Sequence, residues 1–415
     1  MKYSITAPKS LNTTIHLPAS KSLSNRALVI HALAGGTIQP TNLSDCDDTE
    51  VIVRALKEMP SVIDIKAAGT AMRFMTAFLS VSEGKHTLTG TKRMQQRPIG
   101  ILVNALRRLG ADISYLGEEG YPPWLICGRK LDGGSLEIPG NVSSQYISAL
   151  LMIGPALVKG LTLKLTDTIV SRPYIDMTLD IMREFGADVE WTDIDTVSVR
   201  PQPYKNRAYT IENDWSAASY WFEALALSAQ KENQICLPGL WDRSQQGDAI
   251  VRYLFNMLGV KTSFSSNKSE GITLTSNGHT LPRLEYDFVN QPDLSQTMIA
   301  TCCALNIPFT FTGLESLRIK ETDRISAMRT ELRKFGFCLH EIGDSTLQWD
   351  GKQLPPEDNP VVDTYEDHRM AMSFAPLSFK FGPIVINHPE VVSKSYPHFW
   401  EDLASCGFGV TKIPE

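Results

Sequence analysis

Several cationic side chains stand where helix electrostatics disfavours them. In Ser20-Lys21-Ser22-Leu23-Ser24-Asn25-Arg26 a lysine opens an apolar, helix-like run. The same placement recurs in Lys92-Arg93-Met94-Gln95-Gln96-Arg97-Pro98, in Arg318-Ile319-Lys320-Glu321-Thr322-Asp323-Arg324 and at Ser393-Lys394. A helix N-terminus presents unsatisfied N–H groups and the positive end of the backbone dipole, so it attracts anions and repels Lys and Arg. Lys21, Lys92, Arg97, Lys320 and Lys394 therefore carry a local cost that a bound anion would offset. The polar groups Ala67-Ala68-Gly69-Thr70, Asn141-Val142-Ser143-Ser144-Gln145, Ser171-Arg172-Pro173-Tyr174, Asn213-Asp214-Trp215-Ser216 and Glu366-Asp367-His368-Arg369 also lead into such runs. Taken singly, their Ser, Asn and Asp residues are ordinary caps. Within the last group Arg369 is the better anion ligand, and His368 reads as an orienting or core residue. Arg73, early in its helix, reads as a surface charge. As a set, these residues point to an anion site.

Two carboxylates fall within the same pattern. Asp293 opens DLSQTMIATCCAL, a run apolar enough to be buried; as a cap it would be unremarkable. Glu321 lies three residues before Arg324, the spacing of an ordinary helix ion pair. Together they also make a plausible acid–base pair in a cationic pocket. No HExxH, GxxxxGK or GxGxxG pattern is present, so metal, P-loop and nicotinamide readings lack support.

The elements that must position these residues repeat. A helix-like run, an apolar-Gly step and a short alternating strand recur in ALRRLGADISY, IMREFGADVEW, LFNMLGVKTSF and ELRKFGFCLHE, with a weaker LASCGFGV near the C-terminus. Their glycines, Gly110, Gly186, Gly259, Gly336 and Gly407, are spaced by 76, 73, 77 and 71 residues. Glycine there suits a helix C-cap, where the chain turns through a left-handed conformation. A degenerate sixth copy, LKEMPSVIDI, has Met59-Pro60 at the stop. An apolar first helix, a β-rich strand such as LTLKL or PIVINH, and a polar loop precede each second helix. Six such α/β units predict two domains of three. The boundary is expected near 212, in the polar stretch PQPYKNRAYTIEND. A first strand over Tyr3–Leu17 is expected to join the last three units, so that residues 19–212 form one domain and 1–18 plus 213–415 the other.

Length and composition bound the class. The chain has 415 residues, 42% hydrophobic and 21% charged, with a net charge of −6. Two to four domains of an ordinary globular protein fit this length. The acidic balance and the lack of a dense basic run argue against a nucleic-acid or membrane-surface binder, but not against small anions focused in a cleft. The seven scattered cysteines form no CxxC pair and read as reduced thiols. No apolar signal core follows Met1-Lys2-Tyr3-Ser4, and a soluble cytoplasmic protein is expected.

Nine segments, in order, resemble the 3-phosphoshikimate 1-carboxyvinyltransferase family, also called 5-enolpyruvylshikimate-3-phosphate synthase. They are PASKSLSNRAL, AAGTAMRFMTA, QRPIGIL, SSQYISALLM, SRPYIDMT, DWSAASYW, IKETDRISAM, EDHRMAMSF and VSKSYPHF, and they run nearly end to end. The resemblance implies a two-domain inverse α/β barrel, each domain built of three βαβαββ units, with the active site in the interdomain cleft and closure on substrate. It implies transfer of the enolpyruvyl group of phosphoenolpyruvate to the 5-hydroxyl of shikimate 3-phosphate, with release of phosphate and without metal or cofactor. Phosphoenolpyruvate and shikimate 3-phosphate are then the only partners expected, with no nucleic acid or membrane, and a monomer is expected.

Carried over by position, Lys21, Ser22 and Arg26 would bind shikimate 3-phosphate, as would Ser143, Ser144, Gln145, Ser171 and Tyr174. Lys320 and Ser316 would also contact it. Gly69, Arg97, Arg324, Arg369 and Lys394 would hold phosphoenolpyruvate, with Lys21 and Gln145 touching it as well. Asp293 would take the 5-hydroxyl proton, Glu321 would exchange a proton with the methylene carbon, and Lys21 would assist catalysis. Ala67 and Ser316 stand where the family often has Asn, so one contact is missing and one has shorter reach. The UDP-N-acetylglucosamine enolpyruvyl transferases are the nearest alternative, but the loop Gly90–Gln96 lacks their catalytic cysteine. A non-catalytic phosphate-ligand binder is a further alternative, for which the Asp293–Glu321 pair would be dispensable.

Overall fold

The computed structural model describes residues 1–228, 230–267 and 270–414. The chain divides into two compact units, Ala19–Ile211 and Met1–Pro18 with Glu212–Glu415, and each encloses its own apolar core.

Two strands open the chain, β1 (Lys2–Thr6) and β2 (Asn12–Thr14). The first repeat then contributes helices α1 (Lys21–Leu33) and α2 (Asp47–Glu58). The second runs β3 (Val62–Asp64), α3 (Gly69–Val81), β4 (Gly84–Thr89), α4 (Gly100–Arg108), β5 (Asp112–Tyr115) and β6 (Trp124–Gly128). The third runs β7 (Gly134–Pro139), α5 (Ser144–Ile153), β8 (Leu161–Thr166), α6 (Arg172–Glu184), β9 (Val189–Asp193) and β10 (Thr196–Val199). In the other unit come α7 (Trp215–Leu227), β11 (Gln234–Leu237), α8 (Val251–Asn256), β12 (Leu258–Phe264) and β13 (Ile272–Thr280). The next repeat is β14 (Leu284–Asp287), α9 (Ser295–Ala304), β15 (Phe309–Thr312), α10 (Arg324–Lys334), β16 (His340–Ile342) and β17 (Thr346–Trp349). The last is β18 (Val361–Val362), α11 (His368–Phe374), α12 (Ser378–Phe381), β19 (Ile384–Asn387), α13 (Phe399–Ser405) and β20 (Gly409–Ile413).

All five four-stranded sheets share one order. Each repeat's first strand lies parallel to its second, and the fourth pairs antiparallel with both the second and the third, as in β3-β4-β6-β5 and β14-β15-β17-β16. Two sheets are completed by the N-terminal strands. β2 takes the first place beside β11, and β1 the fourth, between β19 and β20. The expected single strand over Tyr3–Leu17 is thus two strands in two sheets, broken around Pro8, which has no N–H to give to a ladder. The first repeat keeps its helices, and among the described residues its strand position is reduced to a parallel bridge between Thr41 and Thr210.

Periodicity explains the layering. In β8, Leu161, Leu163 and Leu165 are buried while Thr162 and Lys164 are exposed, the alternation of a sheet with one face on a core. Every residue of α9 is buried, and α3 and α7 are nearly so. These first helices pack on one another, α1 with α3 and α5 in one unit, α7 with α9 and α11 in the other. The second helices, such as α6, bury one face only.

The repeated glycine is the stop that turns four of the six second helices into their strands; the expected stop at Gly259 instead lies inside β12, because α8 already ends at Asn256 and its cap is Met257. Gly110, Gly186, Gly336 and Gly407 have φ of 103°, 84°, 94° and 91°. At Gly110 its N–H reaches the Arg107 carbonyl, and that of Ala111 reaches Leu106, both at 3.0 Å. This is the Schellman pattern that satisfies the last carbonyls, and it repeats at the other three. Met59, at φ 41°, fills this left-handed place in the degenerate copy.

Candidate active site

In the unit Ala19–Ile211 most of the residues singled out above lie in or beside the first turns of α1, α3 and α5, while Ser171 and Tyr174 open the second helix α6 and Arg97 stands in the turn before α4. Lys21 is the first residue of α1 and its Nζ is 3.6 Å from Asp48 Oδ2 on α2, whose carboxylate is buried. Ser22 follows it, and its carbonyl accepts from Arg26 at 3.0 Å. Arg26 is itself 2% exposed. Its Nε donates to Thr178 Oγ1 at 2.7 Å, and its other nitrogens reach Ser148 Oγ at 3.1 Å and the Tyr174 carbonyl at 3.4 Å. Four of the five guanidinium N–H groups are thus used within the fold, which leaves one for a ligand. Burial among neutral partners lowers its pKa to about 10. Arg26 is chiefly a brace linking α1, α5 and α6.

A second group gathers around Gly69, the first residue of α3. A side chain there would meet Arg73 NH1 and Arg97 NH1, both at 2.7 Å, so glycine is what lets two guanidinium groups close on this helix start. Arg97 ends a short 3-10 turn, Met94–Gln96. Arg73 is buried, contrary to the surface charge expected of it: NH1 donates to the Gly69 carbonyl at 2.7 Å and the group lies 5.2 Å from the Tyr146 ring centroid. Its Nε has no hydrogen-bond partner among the described residues. Gln145 Nε2 reaches Thr70 Oγ1 at 3.2 Å, and Tyr146 donates to the Pro98 carbonyl at 2.6 Å. These bonds tie the start of α5 to the start of α3 and to the Arg97 loop. Ser143 caps α5, accepting from the Gln145 N–H at 3.4 Å, and Ser144 is buried behind it. Ser171 precedes α6 with φ 54°, makes no side-chain cap, and its carbonyl accepts from the Tyr174 N–H at 3.0 Å.

The second unit carries a denser cluster. Arg324, the first residue of α10, is 1% exposed and holds three carboxylates. Its Nε donates to Asp367 Oδ2 at 2.6 Å, NH1 to Asp293 Oδ1 at 3.0 Å and NH2 to Glu321 Oε2 at 2.9 Å. Arg369 NH2 lies 3.0 Å from Asp293 Oδ2 and Lys320 Nζ 3.6 Å from Asp293 Oδ1. Lys394, at the end of the 3-10 turn Pro389–Lys394, reaches Glu321 Oε1 at 3.0 Å. Four cations therefore face three carboxylates. Asp293 does not cap α9; it sits in the 3-10 turn Pro292–Leu294 before that helix, with its carboxylate turned to the cations. Among the described residues no side-chain hydrogen bond ties Ser316, in the turn Glu315–Ile319, to this cluster.

Electrostatics follows the geometry. Burial alone would raise Asp293, but Arg369, Lys320 and Arg324 outweigh it and hold its carboxyl well below the usual range. Burial would lower Arg324, and Asp367, Glu321 and Asp293 together raise it instead. Lys320 is lowered by burial, with Asp293 opposing. Asp367, fully buried, also caps α11 by accepting from the Arg369 N–H at 2.9 Å. One residue thus fixes both arginines.

Sequence reasoning took Asp367 only as a cap and left out Asp48 and Asp248. Asp248 is buried, accepts from the Ser216 hydroxyl and is pushed up to about 7, first by burial and then by the negative charge of Asp293. Asp367 had a legible signal, an Asp at the cap position immediately before the apolar run. The other two sit in no pattern that distinguishes them from surface carboxylates.

Comparison with known proteins agrees with this arrangement. The family model described as EPSP synthase (3-phosphoshikimate 1-carboxyvinyltransferase) matches residues 5–62 and 58–403. A 3-phosphoshikimate 1-carboxyvinyltransferase of Bacteroides fragilis is 56% identical over 410 residues, covering 99% of both chains. One from Photobacterium profundum is 36% identical over 422 residues, covering 95% of this chain and 96% of its own. Among solved structures, an EPSP synthase from Acinetobacter baumannii shares the fold with a TM-score of 0.79 at 22% identity, covering 99% of this chain and 100% of that one. With the repeats, the cation-bearing helix starts and the match along nearly the whole chain in agreement, the chain belongs to the EPSP synthase family.

Proposed function

We propose that the clusters of the two units divide the work of the family's reaction, the transfer of the enolpyruvyl group of phosphoenolpyruvate to the 5-hydroxyl of shikimate 3-phosphate. One observation supports the division best. Asp293 and Glu321 are each held by separate cations and bridged by Arg324, so two carboxylates with distinct partners stand beside groups suited to a carboxylate and a phosphate.

Phosphoenolpyruvate takes Arg324, Arg369 and Lys394, and the family resemblance adds Arg97 and Gly69 to its ligands. In doing so it draws these cations away from Asp293 and Glu321. Loss of a neighbouring cation makes a carboxylate more basic. Asp293 then accepts the proton of the 5-hydroxyl as that oxygen bonds to C2, and Glu321, made basic enough to take up a solvent proton once its cations turn to the ligand, delivers that proton to C3. The product of this addition is a tetrahedral phospho-ketal. In the second step Glu321 takes a proton back from the methyl group, the C2–C3 double bond re-forms and the C2–O bond to phosphate breaks, the phosphate leaving with the proton that Asp293 took from the hydroxyl, so both carboxyl groups return to their starting states. Lys320 and Lys21 stabilise the departing oxygens as preorganised charges. Ser143, Ser144, Gln145, Ser171 and Tyr174 bind shikimate 3-phosphate, with Lys21 and Ser22 at its anionic groups. Arg26 serves them mainly as a brace.

The seven free thiols support a reducing, cytoplasmic setting. Among the described residues no helix is long and apolar enough to cross a membrane. The test is phosphate release from the purified protein given each substrate alone and both together, with mass analysis of the product. Release only with both, and an enolpyruvyl increment on shikimate 3-phosphate, is the expected result. No release with both would overturn the reading.

A further inference from the structure

The turn that delivers Asp367 and Arg369 is built on unsuitable residues. Tyr365 and Glu366 have φ of 53° and 57°, and the Asp367 N–H reaches the Thr364 carbonyl at 2.8 Å. Two successive left-handed residues closed by such a bond make a type I′ turn, which ordinarily takes Asn and Gly. A tyrosine and a glutamate hold this shape only where the surroundings over-determine it. Here the constraint comes from Glu331, on α10 and fully buried. Its Oε1 accepts from the Tyr365 hydroxyl at 2.7 Å, and its Oε2 accepts from the Asp363 N–H at 3.0 Å and from Lys334 Nζ at 2.8 Å. Lys334 reaches on to the Val361 carbonyl at 2.8 Å, and Asn387 Nδ2 donates to Asp363 Oδ1 at 2.9 Å.

One helix therefore grips the turn twice. Arg324, at the start of α10, holds Asp367, and Glu331, seven residues on, holds Tyr365 and Asp363. Seven residues are two helical turns, so both grips lie on one face about 10 Å apart. Two such points fix the slide and the rotation of α10 against the turn, where one would leave a pivot. Arg324 rides on the helix and Arg369 on the turn, so the rear grip sets the spacing of the two guanidinium groups.

Building on the site reading above, we infer that Glu331 and Tyr365 are positioning residues for phosphoenolpyruvate, acting through the relative placement of Arg324 and Arg369. Neither touches substrate. Most residues assigned to shikimate 3-phosphate lie in Ala19–Ile211, which carries neither grip.

The experiment measures KM for each substrate and kcat in Tyr365→Phe, Glu331→Gln and, in parallel, Arg369→Lys, with melting temperatures for all. Tyr365→Phe removes one hydroxyl from a ring at the surface and keeps the protein folded even where Glu331→Gln does not. The expected result is a rise in KM for phosphoenolpyruvate of roughly tenfold in Tyr365→Phe and in Glu331→Gln, with KM for shikimate 3-phosphate within about twofold of the parent. An unchanged KM for phosphoenolpyruvate in Tyr365→Phe, beside a raised one in Arg369→Lys, overturns the positioning role alone. Equal rises for both substrates overturn it too, since a general loosening would do that. An unchanged KM in Arg369→Lys overturns the site reading itself.

Discussion

Asp293 Oδ2 stands 3.0 Å from Arg369 NH2, so the proposed base is engaged by a group proposed to hold substrate. The two compete for one cation. Asp293→Asn is therefore expected to have two opposite effects. Turnover falls by about 10²–10⁴ because the 5-hydroxyl proton has no acceptor. Phosphoenolpyruvate binding, measured by calorimetry in the presence of shikimate 3-phosphate, tightens by about tenfold because the ligand no longer displaces a carboxylate. Weaker binding in that variant would refute the competition.

Lys21→Ala is expected to abolish turnover and also to lower the melting temperature. The second effect comes from Asp48, whose buried carboxylate loses a cation 3.6 Å away. A buried charge left without its partner is costly, on the order of 3 kcal/mol. Adding Asp48→Asn should restore the melting temperature and leave activity absent. Recovery of activity in the double variant would show that Lys21 acts only through Asp48.

Gly69→Ala places a methyl 2.7 Å from the end nitrogens of both Arg73 and Arg97. Arg73 is pinned by the Gly69 carbonyl and buried beside Tyr146, whereas Arg97 is partly exposed. Arg97 is the one that moves. Steady-state kinetics should show KM for phosphoenolpyruvate rising roughly tenfold, with the melting temperature nearly unchanged. A large loss of stability with normal kinetics would mean that Arg73 yields instead.

Asp248 gives a pH signature. Its carboxyl titrates near 7 in the fold, pushed up by burial and then by Asp293, and near about 3.9 in the unfolded chain. Between those values the native state binds the extra proton, so this group's contribution to stability falls as pH rises from 4 to 7 and is flat above. Asp248→Asn can still accept from Ser216 and has no such dependence. Thermal melts should therefore show the variant gaining on the parent by on the order of 3 kcal/mol between pH 4 and pH 7. A gap independent of pH would refute the assignment.

The legible parts of the fold were those with a local cause. Gly110, Gly186, Gly336 and Gly407 mark their helix ends because a left-handed C′ residue is a property of the chain itself. The exchange of β1 and β2 into distant sheets had no such mark, since pairing with β19, β20 and β11 depends on residues hundreds of positions away. In the site, cations at helix starts drew notice because they break an electrostatic rule. Arg73 was misread because α3 is buried nearly all round, and a helix without a polar face gives no hint of which of its charges points inward. Glu331 and Asp248 escaped because an isolated carboxylate becomes unusual only through burial.

The place of β1 has a consequence for the order in which the chain is made. It lies between β19 and β20, so its neighbours, beginning at Ile384, are translated 378 residues after Thr6. At ribosomal speeds that is a wait of roughly 20 to 75 s. Throughout it β1 has two unpaired edges, the condition that invites wrong partners. The stretch Ala19–Ile211 contains all the strands of its own sheets and can finish folding meanwhile. A strand translated early is thus among the last to be seated, and its sheet closes only when Gly409–Ile413 has emerged.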